Sequence, residues 1–238
     1  MKLAILGYGR MGKEVEQQAL MRGHEISAIF DINDNFTQGA DLNGADAIVS
    51  FVLAESVLDN VRTAAQLDVP IVEGTTGWYD QLDQLNEIDN ISIIYSPNFS
   101  IGVYKFTKIA AYAAQILGSL SEYDCYVHEF HHAGKADSPS GTAKKLAMIL
   151  LENLPHKKKA LYDSSHGKID EQDLHVTSTR VGRVPGSHEV GFDSAADEIT
   201  LKHVAHGRDG FALGAVRAAE WIVGKKGIFT MDDFINEL

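Results

Sequence analysis

The chain has 238 residues, is 45% hydrophobic and 23% charged, and carries a formal net charge of -12. These proportions fit a globular protein of one large or two modest domains, and the acidic balance argues against non-specific nucleic-acid binding. A single cysteine, Cys125, leaves no internal disulfide and fits a reducing cytosol; the apolar start is too short for a signal peptide, and no later run spans a membrane.

Residues 3–6 read as a short strand that meets Gly7-Tyr8-Gly9-Arg10-Met11-Gly12, a G-x-G-x-x-G. A helix follows to about residue 22, then a strand over 25–30 with Asp31 at its end. Strand, glycine turn, helix, strand and acid form the dinucleotide-binding fingerprint. The first glycine permits the turn, the second lets backbone approach a pyrophosphate, and the third lets helix pack on strand. Asp31 would accept bonds from ribose hydroxyls and repel a 2′-phosphate, and residues 32–36 hold no Arg or Lys, so NADH is expected over NADPH. The bland alternative is a tight turn that binds nothing and a solvated acid.

Alternation continues with a strand over 46–52, a helix over 55–67, and a strand over 70–73 leading into Gly74-Thr75-Thr76-Gly77-Trp78. A helical stretch over 79–86 and a strand over 91–95 follow, then Ser96-Pro97-Asn98-Phe99-Ser100. Strands separated by helices predict a doubly wound parallel sheet, a Rossmann-type α/β fold whose ligands bind beyond the carboxyl ends of the strands. The glycine turn, Asp31 and the loops 74–77 and 96–100 all fall at that edge.

After residue 100 the pattern changes. A long helix over 101–117, a strand over 122–131 and a polar loop lead to a helix from about Thr142, with Leu146, Ile149, Leu150 and Leu154 at helical spacing. Residues 155–173 read as a solvated excursion carrying Lys157, Lys158 and Lys159. Strands over 174–180, 186–192 and 197–203 complete an α+β unit with a largely non-parallel sheet. Two helices cover only one face of such a sheet, which predicts self-association through the other. A helix over 208–224 and a short tail over 228–238 return to the first pattern. The predicted organisation is a dinucleotide-binding domain of residues 1–100 and 208–238, with a substrate-binding and oligomerisation domain, 101–207, inserted at a hinge.

Residues 129–143 read EFHHAGKADSPSGTA. Ser140 or Thr142 can cap the helix that follows, and the remaining free N–H groups and positive dipole end suit a carboxylate or phosphate. Two histidines and a lysine beside such a cradle point to proton chemistry on an anionic small molecule. This stretch resembles the signature of the 4-hydroxy-tetrahydrodipicolinate reductase (dihydrodipicolinate reductase) family of lysine biosynthesis. Gly74-Thr75-Thr76-Gly77, Pro97-Asn98-Phe99-Ser100, Arg180-x-Gly182-x-x-x-Gly186-x-His188 and Gly214-Ala215-Val216-Arg217 resemble that family as well.

The resemblance implies that His131 is the proton donor and Lys135 a second donor or carboxylate partner. It implies that His132, Ser140, Gly141 and Thr142 bind substrate. It assigns cofactor contacts to Gly7, Tyr8, Gly9, Arg10, Met11, Gly12, Asp31, Gly74, Thr75, Thr76, Ser96, Pro97, Asn98 and Phe99. It also implies NADH or NADPH as cofactor, a cyclic dicarboxylate substrate, a cytoplasmic homotetramer and no metal. Three features depart from the family pattern: the glycine loop is one residue shorter, Tyr104 replaces a frequent asparagine, and the 155–173 region is short. Three other readings stay open: another amino-acid or sugar dehydrogenase, a non-catalytic NAD sensor, and a hydrolase with a metal on His128, His131 and His132. An NADH-oxidation assay and metal analysis separate them.

Overall fold

The computed structural model describes residues 1–34, 36–162 and 166–238. Asn35, in the cation-free run after Asp31, and Asp163, Ser164 and Ser165, in the expected polar excursion, lie outside the described residues. In chain order the elements are β1 (Lys2–Leu6), α1 (Arg10–Met21), β2 (Glu25–Phe30), β3 (Ala47–Ser50), α2 (Val57–Gln66), β4 (Ile71–Glu73), β5 (Ser92–Tyr95) and α3 (Ile101–Leu117). Then come β6 (Asp124–His131), α4 (Gly141–Asn153), β7 (Lys159–Leu161), β8 (Asp173–Arg180), β9 (Ser187–Asp193), β10 (Glu198–Val204), α5 (Asp209–Ile222), β11 (Gly227–Thr230) and α6 (Met231–Asn236). The chain forms two compact units, Met1–Ile101 with Arg208–Leu238, and Gly102–Gly207.

The first unit is built on a six-stranded sheet of order β11-β5-β4-β3-β1-β2, parallel throughout, as the alternating pattern predicts. Its strands are apolar on both faces because helices cover both. Val57, Val61 and Ala64 of α2 bury against Ala4, Leu6, Ile48, Ile71 and Ile93. Two local readings differ. The tail contributes strand β11, which pairs with β5; a four-residue run carries too little periodicity to announce itself. The stretch after Trp78 is a 3₁₀ helix, Tyr79–Glu87, in which only Leu85 is buried, so little packing rewards a full α-helical turn.

The second unit holds a sheet of order β10-β9-β6-β8-β7. Only the β10–β9 and β9–β6 pairs are antiparallel; β6–β8 and β8–β7 run parallel, so the sheet is mixed rather than largely non-parallel. The cause is α4, a helical crossover that brings the chain back in its original direction. Helices α3 and α4 pack on one face through Phe106, Ala110, Ala114, Leu146, Ala147 and Leu150, over Val127, Leu174, Val176, Val190 and Phe192. Strand β7 and Lys157 correct the solvated reading of residues 155–173. Lys157 is buried, ion-paired to Asp124, and donates to the backbone oxygens of Glu171 (2.8 Å) and Asp173 (3.0 Å). Carbonyls that the irregular loop leaves unpaired give a buried ammonium its partners.

One buried acid stands out in the first sheet. Glu73 is fully buried at the end of β4, level with Ser50 on β3, and accepts the Thr75 N–H at 2.8 Å. Burial pushes its carboxyl up to about 7, against hydrogen bonds from Thr75 and Ser50. In the unfolded chain it ionises near 4.5, so its stabilising contribution is present below that value and lost as pH rises through about 7. Glu73→Gln should therefore raise Tm at pH 8, by the equivalent of about 3 kcal/mol at most. The gain should nearly vanish at pH 4, measured by thermal melts of both proteins; an equal gain at both pH values would contradict the burial argument.

Candidate active site

In the first unit the glycine turn, Asp31 and the loops after β4 and β5 follow the carboxyl ends of four strands of one parallel sheet. Gly7 N–H donates to the Phe30 carbonyl at 2.8 Å, and Tyr8 N–H to Asp31 Oδ1 at 3.3 Å. The three glycines have different reasons. A Cβ at Gly7, where φ is +83°, would strike the Phe51 carbonyl, and one at Gly12 would strike the Gly7 carbonyl. Gly9 is exposed and has no atom within 4 Å of its Cβ position, so protein packing does not demand it. Its bare backbone suits the close approach of a pyrophosphate, and the residues present thus fit a dinucleotide.

The next loops are held by their own side chains. Thr75 is buried, its hydroxyl accepts from Val52 N–H at 3.0 Å, and its carbonyl accepts from the Trp78 indole at 3.0 Å. The Ser96 hydroxyl donates to the Asn98 carbonyl at 2.7 Å, and Asn98 Oδ1 accepts from Ser100 N–H at 2.7 Å. Phe99 is buried, while Thr76 and Pro97 are exposed. A cleft of ≈ 630 Å³ opens between residues 36–39 and the start of α2, and among the described residues its lining includes Glu55 and Asp59 and no Lys or Arg.

The second unit centres on Glu129, a fully buried carboxylate in β6. Period-two alternation puts it on the core face with Cys125, Val127 and His131, while His128 faces the opposite side. Strand register sets Glu129 opposite Ser178 on β8 and His188 on β9. Oε1 accepts from Ser140 N–H (2.9 Å), Ser178 Oγ (2.8 Å) and Arg180 Nη2 (2.9 Å). Oε2 accepts from the Ser140 hydroxyl and faces His131 Nδ1 at 3.2 Å and His188 Nε2 at 3.5 Å. Burial opposes the charge, but the close imidazoles of His131 and His188 and hydrogen bonds from Ser140 and Arg180 outweigh it and hold the Glu129 carboxyl far below the usual carboxylate range. Glu129, His131 and His188 offer ligand atoms within 4.8 Å of one another, a spacing a metal ion can use. The donors already on both oxygens, one of them a guanidinium, make the cluster an ion-pair centre instead.

Of the residues singled out from sequence, His131 and Ser140 meet at this carboxylate. Both polar groups of Ser140 are engaged by Glu129, and its hydroxyl also caps α4 by accepting from Ala143 N–H at 3.2 Å. Gly141, exposed and with open space at its Cβ position, and half-buried Thr142 present the first turn of α4. His132 is half-buried at the strand end. Lys135 is turned to Asp137, with Nζ at 2.6 Å from Oδ1, and Lys135 keeps the Asp137 carboxyl below its usual value. Arg180 ties that loop to the cluster through the Asp137 carbonyl. Gly186 clears the other edge of His131, since a Cβ there would come within 3.1 Å of Nε2. His128, bonded to Thr177 on the far face, is separate from the cluster.

Glu129, Ser178, Arg180 and His188 received no individual role from sequence. The available signal was polar residues at core-facing positions of three strands; their meeting depends on register, which one sequence does not display.

The family description "Dihydrodipicolinate reductase, N-terminus" matches residues 1–99, and "Dihydrodipicolinate reductase, C-terminus" matches residues 102–235. A 4-hydroxy-tetrahydrodipicolinate reductase of Christiangramia forsetii is 38% identical over 243 residues, covering 100% of this chain and 99% of that protein. Its namesake in Archaeoglobus fulgidus is 39% identical over 260 residues, covering 99% and 100%. Among solved structures, a dipicolinate-bound dihydrodipicolinate reductase from Paenisporosarcina sp. TG-14 aligns with a TM-score of 0.73 and 24% identity over 97% of each chain.

Removing the cation from the buried cluster tests its electrostatics. Arg180→Met should destabilise the fold by about 3 kcal/mol at pH 7, the usual cost of stripping one partner from a buried pair. Glu129 contributes stability above the ordinary carboxylate range, and that contribution is lost as pH falls toward its depressed folded value. The wild-type advantage in denaturant midpoint should therefore shrink between pH 7 and pH 3; an advantage that grows on acidification would contradict it.

Proposed function

The chain belongs to the dihydrodipicolinate reductase family, and from that premise we propose that it reduces 4-hydroxy-tetrahydrodipicolinate (dihydrodipicolinate) to tetrahydrodipicolinate with NAD(P)H, in the diaminopimelate route to lysine. One observation carries the reading: the buried Glu129 cluster, with its histidine and capped helix, falls inside the signature stretch of a chain matched to the family in both halves.

In this reading residues 1–100 and 208–238 hold the cofactor and residues 101–207 hold the substrate. Backbone of the glycine turn takes the pyrophosphate, Asp31 the ribose hydroxyls, and the loops at Gly74, Thr75, Thr76 and Ser96, Pro97, Asn98, Phe99 the nicotinamide half. When bound, the reduced nicotinamide supplies a hydride to the conjugated ring carbon of the substrate. The N–H groups of Gly141 and Thr142, at the positive end of the 13-residue helix α4, hold one substrate carboxylate. Ser140 shapes that cradle as its cap. His132 and Lys135, on the loop between strand and helix, take the second carboxylate. His131 delivers the proton that completes the reduction, a task suited to an imidazole near neutral pH. Lys135, paired to Asp137, serves as carboxylate partner or second donor.

Asp31 at the end of β2, and Glu55 and Asp59 in the lining of the cleft, support NADH over NADPH, since each would repel a 2′-phosphate. Among the described residues no helix is long and apolar enough to cross a membrane. The cytoplasm as location and a homotetramer as working form belong to the same reading. The assembly is supported by half-buried Tyr126, His128 and Phe130 on the sheet face that α3 and α4 leave uncovered.

The test is a coupled assay on the product of the preceding condensation step, with NADH and NADPH in parallel. Oxidation of NADH at the higher kcat/KM is expected; a clearly higher value with NADPH would overturn the Asp31 argument, and oxidation of neither would overturn the function. His131→Gln should lower kcat by about 10² to 10⁴ with the fold intact. A kcat near that of the wild type would remove His131 from the role of proton donor.

A further inference from the structure

We infer that Glu129 is a positioning residue that acts on the reaction through His131: its buried carboxylate holds the Nδ1 proton of the imidazolium, so that the Nε2 proton faces the substrate and its transfer leaves the neutral Nδ1–H tautomer. The inference rests on the proposed role of His131 and adds a residue to it. Three features of the site support it. Oε2 stands 3.2 Å from His131 Nδ1, on the side away from the edge that Gly186 keeps clear. Glu129 cannot swing, because Ser140 at the start of α4 and Ser178 and Arg180 on β8 fix both oxygens from two different elements. The residue is fully buried, so solvent does not weaken its field on the imidazole.

The same anchor serves the rest of the cluster. Ser140 joins the carboxylate to the helix end proposed to hold the substrate, and Arg180 joins it to the Asp137 carbonyl on the loop that carries Lys135. His188 packs edge-on against His131, with ring centroids 5.2 Å apart, and closes the remaining side. One charge thus orders the proton donor, the carboxylate cradle and the lysine loop together. A carboxylate that orients an imidazole by its second nitrogen and steadies its charged form is a known device for proton transfer in other enzymes.

A double-mutant cycle and a resonance measurement test this. Glu129→Gln should lower kcat about 10²-fold, with KM for NADH unchanged, as expected for a misheld general acid. In the His131→Gln background the same change should cost less than about 3-fold, because the group it acts through is gone. Glu129→Asp, which keeps the charge but shortens its reach, should show the same dependence on His131 and serves if the glutamine variant does not fold. Independently of activity, the ¹⁵N resonances of His131 in the neutral form should report the Nδ1–H tautomer in wild type and its loss in Glu129→Gln or Glu129→Asp. Additive losses in the cycle, an Nε2–H tautomer in wild type, or a tautomer unmoved by both Glu129 variants would overturn the inference. A wild type that oxidises neither NADH nor NADPH would sink the proposed function, while the tautomer would still decide the role of Glu129.

Discussion

A buried carboxylate with hydrogen-bond donors on both oxygens is the constraint on which the second unit depends. An isolated carboxylate in that position would take up a proton, since burial costs a charged group several kcal/mol. Glu129 remains charged because donors arrive from β8, β9 and the start of α4 as well as from its own strand. Each donor is in turn immobilised by the acid it serves. The cluster is therefore both a structural knot and a fixed electric field beside His131, and the proposed proton delivery draws on that field.

In the first unit the proposed ligand is a dinucleotide whose pyrophosphate would approach bare backbone. Gly7 and Gly12 are required by the protein's own turn, whereas Gly9 leaves open space. Glu73 lies beneath the loop after β4 and shapes it by accepting the Thr75 N–H. Unlike Glu129 it has few donors, and burial therefore raises its carboxyl where the donors of Glu129 lower theirs. The two acids show that burial alone does not set the direction of a shift; the number of donors does.

Much of this architecture was legible in the chain. Alternating strands and helices and the spacing from Gly7 to Asp31 announced the parallel sheet. Local chemistry also offered Ser140 or Thr142 as the helix cap, and Ser140 takes that place. Less legible were features that exist only through pairing. Strand β11 is four residues long and is defined by its neighbour β5. Strand β7 and the buried Lys157 arise in a stretch whose composition reads as solvated, because carbonyls distant in sequence satisfy the ammonium. The Glu129 cluster belongs to the same class: Ser178, Arg180 and His188 look like ordinary strand residues until register brings them to one carboxylate. The direction of half the second sheet was missed for a related reason, since α4 acts as a crossover that returns the chain parallel.

In the proposed reaction this chain carries out a single reduction, with hydride from a nicotinamide cofactor and a proton from the cluster around His131. Isotope transfer tests it most directly. NADH deuterated at both C4 positions, turned over with the hydroxylated dicarboxylate, should yield a product bearing one deuterium on a ring carbon, read by mass and by NMR. A reduced product without deuterium, or a cofactor that keeps both labels while substrate is consumed, would contradict the account.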